Sequence, residues 1–98
     1  MSPLAFRLYK VLQSIPQGKV ATYGALAKYL HTSPRAVASM LAVNTEPDIY
    51  PCYKVIHTDE RIGGYRGGIE EKIRRLESDG IKITEGKINL KEYGFWKF

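Results

Sequence analysis

The chain has 98 residues, of which 44% are hydrophobic, and its formal net charge is +5. This length predicts one domain with its own core and leaves no room for a second. A single cysteine excludes an internal disulfide, and no apolar run approaches the roughly 20 residues of a membrane span, so we expect an intracellular, cytoplasmic protein. The basic balance permits nucleic-acid binding through the phosphates but does not require it.

Three short amphipathic helices are predicted in the first half of the chain. Ser2 caps the first helix, and an apolar stripe recurs at helical spacing from Leu4 to Ile15. Thr22 caps the second helix, from Tyr23 to about Leu30. A serine–proline pair opens the third, from Pro34 to about Val43.

The second and third helices, joined by a tight turn, have the pattern of a helix-turn-helix. Small residues on one side of the third helix favour a close approach to a DNA groove, although an ordinary helical hairpin has the same pattern. Arg35 lies just inside the third helix, where recognition helices contact bases. On the alternative interpretation it is a solvated surface arginine.

Cys52 is the only cysteine and lies in an extended segment, which we predict as a short buried strand within Ile49–Ile56. Pro51 stiffens the backbone before it. A thiol held in this way is either a small buried hydrophobe or a nucleophile. A nucleophilic role requires a base, a cation or a helix N-terminus to ionise the thiol, and Asp79 is a candidate for that network.

The second half begins with four glycines within Gly63–Gly68, which surround Tyr65 and Arg66. The segment lacks the spacing of a phosphate loop, but its backbone can approach a flat ligand on which the Tyr65 ring stacks. A helix over Ile69–Asp79 and a small hairpin over Ile81–Leu90 follow.

Metal and cofactor sites are not expected. His31 and His57 are far apart in the chain and have no matching ligands around them, so the pattern predicts no zinc site. No serine–histidine–aspartate set is apparent, and nothing in the chain implies a bound cofactor.

Five segments together resemble the C-terminal, active-site domain of the O6-alkylguanine-DNA alkyltransferases, the methylated-DNA–protein-cysteine methyltransferases. They occur in the same order and at the same spacing as in that family, and the likeness extends from Ile15 to Gly80. The segments are Ile15–Ala27, Pro34–Val37, Asn44 eight residues before the cysteine, Pro51–Val55, and Gly64–Ile69.

The resemblance implies a mainly α fold: a winged-helix-like helix-turn-helix DNA-binding domain with short strands and a small C-terminal hairpin. It implies that residues 1–98 form a single alkyltransferase-type domain without the family's N-terminal domain. The implied partner is duplex DNA containing O6-alkylguanine, which a monomer binds through the minor groove before the damaged base is flipped out.

The resemblance also assigns roles to residues. Cys52 takes the alkyl group from guanine O6 irreversibly, so that each molecule acts once. Tyr23 helps to extrude the nucleotide and donates to the base, and Arg35 fills the gap left in the stack. Asn44 orients the turn before the active-site strand. Tyr65 lines the pocket, and Arg66 stands at its rim, where the family usually has serine.

The chain departs from the family at the proton relay. The family motif is Pro-Cys-His-Arg-Val, but here Tyr53 replaces the histidine and Lys54 the arginine. Asp79 matches the glutamate that holds the histidine. A tyrosine, with a reference pKa of about 10, acts there by hydrogen bonding or, if strongly perturbed, as tyrosinate.

Two other functions are open on the sequence alone. One is a damage sensor like the alkyltransferase-like proteins, which bind O6-alkylguanine without repairing it and recruit other repair factors. Those proteins typically carry tryptophan at the position of Cys52, so the cysteine favours chemistry. The other is a sequence-specific winged-helix regulator, which leaves Cys52 and the glycine segment without a role.

Overall fold

Short helices packed around a two-stranded parallel sheet make up the fold. The computed structural model describes residues 2–98. In chain order the elements are α1 (Pro3–Gln13), β1 (Ala21–Thr22), α2 (Tyr23–Leu30), α3 (Pro34–Ala42), a 3₁₀ turn (Cys52–Lys54), β2 (Val55–Ile56), α4 (Ile69–Ser78) and α5 (Leu90–Tyr93). The mainly α helix-turn-helix prediction is confirmed. Within residues 2–98, no helix has the length and apolar character needed to cross a bilayer.

The first three helices begin where their capping residues predict. The hydroxyl oxygens of Ser2, Thr22 and Ser33 accept hydrogen bonds from the backbone N–H three residues ahead, at 3.1, 3.0 and 3.1 Å. Each bond satisfies one of the N–H groups that a helix start leaves without a partner. The predicted ends are slightly too long, since α1 stops at Gln13 and α3 at Ala42.

α2 and α3 pack against each other as a helix-turn-helix. His31 ends α2 in the left-handed conformation, with φ of 56°, and Thr32 N–H donates to Ala27 O at 2.9 Å, which reverses the chain within three residues. Val37 and Leu41 of α3 are buried against the core, as its apolar spacing predicts. The opposite side of α3 is therefore free to meet a partner.

The sheet positions the site. Ala21 pairs with Val55 and Thr22 with Ile56, in parallel register. Because α2 begins directly after β1, this pairing brings the start of α2 beside the segment that follows the cysteine. Two apolar clusters flank the sheet, one centred on α1 to α3 and the other on α4 and the C-terminal segment.

The strand predicted over Ile49–Ile56 is wrong for most of its length. Cys52 N–H donates to Tyr50 O at 2.8 Å and Lys54 N–H to Pro51 O at 3.2 Å. The backbone therefore coils there, and its N–H groups bond to nearby carbonyls instead of to a neighbouring strand. Only Val55–Ile56 is extended and paired. Side chains on either side of Cys52 therefore do not alternate as they would on a strand.

α4 and the tail follow the predictions in part. Gly80 follows α4 with φ of +88°, and the Glu71–Arg75 pair forms, as expected. Leu76 is buried, but Ile69, predicted inward, is 45% exposed, and Arg74 pairs with Glu71 instead of Glu70. The C-terminal hairpin is reduced to one antiparallel pair, Thr84 with Lys87; Leu90, predicted as strand, begins α5 because Asn89 caps it.

Candidate active site

Cys52 is the first residue of the 3₁₀ turn and is 6% exposed. Its side chain joins the apolar cluster of α1 to α3, and it forms no disulfide. The turn places Cys52 between α3, the start of α2 and the glycine segment, where it forms part of a cavity wall.

Asn44 fixes the sulfur. It is 3% exposed, and its Nδ2 donates to Tyr50 O at 2.8 Å and to Cys52 Sγ at 3.2 Å. Its Oδ1 accepts from Glu46 N–H at 3.0 Å, which holds the preceding loop. An N–H directed at sulfur stabilises negative charge there, so the residue predicted to orient the turn also contacts the cysteine sulfur itself.

A cavity of about 390 Å³ opens at Cys52, a size typical of sites for flat organic ligands. It is lined by Tyr23, Ala38, Leu41, Ala42, Cys52, His57, Gly64, Tyr65 and Arg66. A second cavity of about 220 Å³ meets the same sulfur from the side of Asn44 and Arg75. A wider groove of about 550 Å³ around the C-terminal lysines is not lined by Cys52, so the cavity at Cys52 is the candidate site.

Tyr23 reaches the cavity from the first position of α2. Burial, and after it the negative charge of Cys52, raises the pKa of Tyr23, so its phenol remains protonated and acts as a hydrogen-bond donor. Its ring centroid lies 5.1 Å from that of His57 at an interplanar angle of 45°. Thr22, which caps α2, therefore also fixes the position of the phenol.

The glycine segment supplies the opposite wall. Burial raises the pKa of Tyr65, whose ring folds over Gly67: a Cβ at that position would lie 2.9 Å from Tyr65 Cε2. Arg66 Nη1 donates to Ala42 O at 3.0 Å and so ties the segment to the end of α3. The two side chains that the sequence places at the pocket lie there.

Tyr53 and Asp79 meet, but away from the thiol. Tyr53 Oη donates to Asp79 Oδ2 at 2.7 Å and makes no hydrogen bond to Cys52 within residues 2–98. Burial, and then the hydrogen bond to Asp79, raises the pKa of Tyr53, which keeps the phenol protonated. Arg75 lies over the ring, 5.8 Å from its centroid, and pairs with Asp48 of the loop before Cys52.

Lys72 is a site residue that the sequence interpretation missed. It is fully buried, and its Nζ donates to the carbonyl oxygens of Val55, Ile62 and Gly64. Burial lowers the pKa of Lys72 to about 8, while the negative charge of Cys52 opposes that shift. The sequence does contain a signal for it: Lys72 lies four residues before the buried Leu76, and this helical spacing places both side chains on the inward face of α4.

Arg35 stands apart from the cavity. It is exposed on α3 and makes no side-chain hydrogen bond or ion pair with another part of residues 2–98. The structure thus brings together Cys52, Asn44, Tyr23, Tyr65 and Arg66, and leaves Arg35 on the outer face. Within residues 2–98, no group of three or more acidic, histidine or cysteine side chains could hold a metal ion.

Comparison with known proteins gives a family match and close relatives. The family described as "6-O-methylguanine DNA methyltransferase, DNA binding domain" matches residues 3–81. The bifunctional methyltransferase/endonuclease of Picrophilus torridus is 50% identical over 93 residues, covering 93% of this chain and 31% of that protein. The methylated-DNA–protein-cysteine methyltransferase of Thermococcus gammatolerans is 46% identical over 87 residues, covering 88% and 49%. The chain thus spans between 31 and 49% of these relatives' lengths.

Two solved structures superpose well on the chain. O6-methylguanine-DNA methyltransferase from Pyrococcus kodakaraensis strain KOD1 has a TM-score of 0.77 and 43% identity, and the match covers 83% of this chain and 48% of that one. Atl1 of S. pombe, in complex with damaged DNA containing O6-carboxymethylguanine, has a TM-score of 0.86 and 28% identity. That match covers 97% of this chain and 96% of Atl1.

Proposed function

The chain belongs to the family of the 6-O-methylguanine DNA methyltransferase DNA-binding domain, and on this basis we propose that it repairs DNA by taking the alkyl group of O6-alkylguanine onto Cys52. The observation that carries the proposal is the Asn44 N–H directed at Cys52 Sγ, at the wall of a cavity with room for a base. The reaction is stoichiometric, since nothing removes the alkyl group afterwards.

Binding begins at α3. Its solvent side carries small residues and Arg35, which suits the minor groove of a duplex. Arg35 occupies the space that the extruded nucleotide leaves in the stack, and Tyr23 turns the nucleotide towards the cavity. The base then lies between Tyr23 and Tyr65, with Arg66 at the rim, so that its O6 substituent faces Cys52.

The chemical step is an in-line displacement at the alkyl carbon. The Cys52 sulfur forms a bond to that carbon as the carbon–O6 bond breaks, and the electron pair of the broken bond remains on the purine. Before the attack, Asn44 Nδ2 at 3.2 Å from Sγ and the buried ammonium of Lys72 behind the cavity wall stabilise the negative charge of the Cys52 thiolate. The product is a thioether on the protein and an unmodified guanine.

Tyr53 and Asp79 contribute by position. A phenol whose pKa is raised by burial and that already donates to a carboxylate is a poor proton acceptor. The pair instead ties the 3₁₀ turn to the end of α4, and Arg75 adds a link to the loop that precedes Cys52. The lost histidine relay is thus replaced by Asn44 and Lys72 as the groups that favour the thiolate.

Transfer of a labelled methyl group tests the proposal. Duplex DNA carrying labelled O6-methylguanine is incubated with the wild type and with Cys52→Ser. The serine hydroxyl can still accept a hydrogen bond from Asn44 Nδ2, so this control variant removes the thiol and keeps that contact. We expect label on the wild-type protein only. Wild-type protein that binds the damaged duplex and acquires no label would exclude the enzyme function.

A damage sensor is the second candidate. Atl1 matches this chain over nearly all of both lengths, and the Tyr53–Asp79 pair offers no proton acceptor to the thiol. A sensor would bind O6-alkylguanine duplex selectively, keep that affinity in Cys52→Ala, and show no transfer in the wild type. Equal affinity for damaged and undamaged duplex would exclude it.

We propose a cytoplasmic site of action. Genomic DNA is the partner, and the reaction needs Cys52 as a free thiol, the state that reducing compartments maintain. Expression of a fluorescent fusion in the native host, followed by microscopy, tests this location.

A further inference from the structure

The second cavity at Cys52, of about 220 Å³, has no role in the transfer of a methyl group. It shares Cys52, Tyr65 and Arg66 with the first cavity, which accommodates the base. The rest of its wall is formed by Asn44, Thr45, Pro47, Gly67, Glu71 and Arg75. A methyl group reaches the sulfur without entering this space, so the space is available to a longer O6 substituent.

The in-line displacement determines where a longer substituent points. The sulfur, the attacked carbon and O6 lie on one line, so every further atom of the alkyl group must leave the carbon to the side of that line. With the base in the first cavity, the second cavity lies beside the sulfur and is open to those atoms. Its walls therefore select among alkyl groups that are larger than methyl.

The charge on those walls is mainly positive. Arg66 and Arg75 both line the second cavity, and the lining that residues 2–98 provide contains one carboxylate, that of Glu71. Glu71 Oε1 accepts from Arg74 Nε at 2.8 Å, and Oε2 accepts from Arg75 Nε at 2.9 Å. Because these partners neutralise Glu71, the cavity presents an excess of positive charge to a substituent.

Arg75 can exchange one of its partners for a substituent. Its side chain is 22% exposed, and its Nη2 pairs at 2.9 Å with Oδ1 of Asp48, whose side chain is 85% exposed. An ion pair with so exposed a carboxylate is weak, because water solvates that carboxylate nearly as well as the guanidinium does. A carboxylate inside the cavity has lost part of its water, so it gains more from the same guanidinium than Asp48 does.

We propose that Arg75 is a specificity-determining residue, which makes the domain prefer O6 substituents with a negative charge close to the reacting carbon, such as a carboxymethyl group. This preference rests on the proposed function. The substituent's carboxylate lies in the second cavity against Arg75, with Arg66 at the rim.

The chemical step is that of methyl transfer. The Cys52 sulfur forms a bond to the methylene carbon as the carbon–O6 bond breaks, and the electron pair of the broken bond remains on the purine. The purine takes up one proton in place of the one that Cys52 released when it ionised. Thiol and O6-carboxymethylguanine thus become S-carboxymethylcysteine and guanine.

Two duplexes that differ in one group test the preference. One carries O6-carboxymethylguanine, and the other carries O6-carbamoylmethylguanine, whose neutral amide has the size and shape of the carboxylate. Single-turnover transfer rates at saturating duplex give a carboxylate-to-amide ratio for each protein. The comparison of this ratio between wild type and variant cancels the intrinsic reactivity of the two alkyl groups and the fraction of folded protein. We expect the ratio to fall about tenfold in Arg75→Met, which keeps the length of the side chain and removes its charge.

Two further variants separate Arg75 from its neighbours. Arg74→Met is the matched control, because Arg74 also bonds to Glu71 but is not among the residues that line the cavity. Its side chain is 66% exposed and its charge is screened by water, so the ratio should stay within about twofold of the wild type. Asp48→Asn should raise the ratio above that of the wild type, because it removes the carboxylate that competes for Arg75.

Three results would overturn the preference. Equal ratios in the wild type and Arg75→Met would show that the guanidinium does not contact the substituent. Equal falls in Arg75→Met and Arg74→Met would assign the effect to the overall positive charge of the domain. A ratio that does not rise in Asp48→Asn would exclude the exchange of partners at Arg75. Each of these results leaves the proposed function intact if the wild type still transfers methyl groups, whereas a wild type that transfers no alkyl group would remove both.

Discussion

The Tyr53 hydroxyl donates a hydrogen bond to Asp79 Oδ2 across 2.7 Å, which joins the 3₁₀ turn of the cysteine to the residue that ends α4. Burial and this bond raise the pKa of the phenol, and Arg75 lies 5.8 Å from the ring centroid. The resemblance predicts a proton relay at these two positions, but the Tyr53 hydroxyl already donates to Asp79 and does not reach Cys52. Its contribution is therefore to the position of the turn.

Removal of the hydroxyl tests this assignment. Tyr53→Phe leaves Asp79 Oδ2 without its donor and should lower the free energy of unfolding by about 1 kcal/mol, measured by urea denaturation. The rate of methyl transfer should fall far less than the roughly 100-fold that loss of a general base causes. A fall of that size at unchanged stability would make Tyr53 the proton acceptor. Asp79→Asn provides the matched control, since it keeps an acceptor without the charge.

Asn44→Asp separates the two functions of Asn44. The carboxylate keeps the acceptor for Glu46 N–H, so the loop remains held, but it replaces the N–H that faces Cys52 Sγ with a negative oxygen. Transfer should slow about 100-fold, because the Cys52 thiolate loses its hydrogen-bond donor and faces a negative oxygen, which disfavours its formation. Alkylation of Cys52 by iodoacetamide should slow in parallel. A variant that transfers at the wild-type rate would exclude Asn44 from the chemistry.

Lys72 predicts a pH dependence of stability. Burial lowers its pKa from 10.5 to about 8, so between these values the unfolded chain binds more protons than the folded one. The free energy of unfolding should therefore rise with pH across this window, by up to about 3 kcal/mol. Lys72→Met should lack that rise. The difference between the two urea-denaturation series, taken at each pH, isolates Lys72 from other groups that titrate there.

Arg35 should act on DNA binding alone. Arg35→Ala removes an exposed guanidinium from the second position of α3 and should weaken damaged-duplex affinity about tenfold at fixed salt, by fluorescence anisotropy. Reaction with a free O6-alkylguanine base, which needs no flipping, should be unchanged. Arg7→Ala removes an arginine of α1 that is also exposed and is the matched control. Equal losses of duplex affinity in both variants would show that Arg35 is only a general phosphate contact.

The sequence predicted most of the helices because their start signals are local. Ser2, Thr22 and Ser33 each bond a backbone N–H three residues ahead, so no tertiary contact is needed to recognise them. The side chains that the resemblance assigns to one pocket come from four separate segments, and in the structure they lie around one cavity. Local propensity alone gives no such grouping.

The missed features depend on tertiary structure. The segment at Cys52 has the composition of a strand, but Asn44 and the carbonyl of Tyr50 hold it as a 3₁₀ turn. Lys72 was overlooked because a lysine is normally exposed, and only the three carbonyls that meet its Nζ make its burial possible. Leu90 was assigned to a strand, yet the side chain of Asn89 starts a helix there.

The central claim is that Cys52 takes one alkyl group and then stops. Titration of the protein with O6-methylguanine duplex, followed by mass spectrometry of the peptide that contains Cys52, tests it most directly. We expect one methyl group per chain, on Cys52 alone, with the duplex restored to guanine in equal amount and no methylation in Cys52→Ser. Selective binding of the damaged duplex with the O6-methyl group still on the DNA would contradict it.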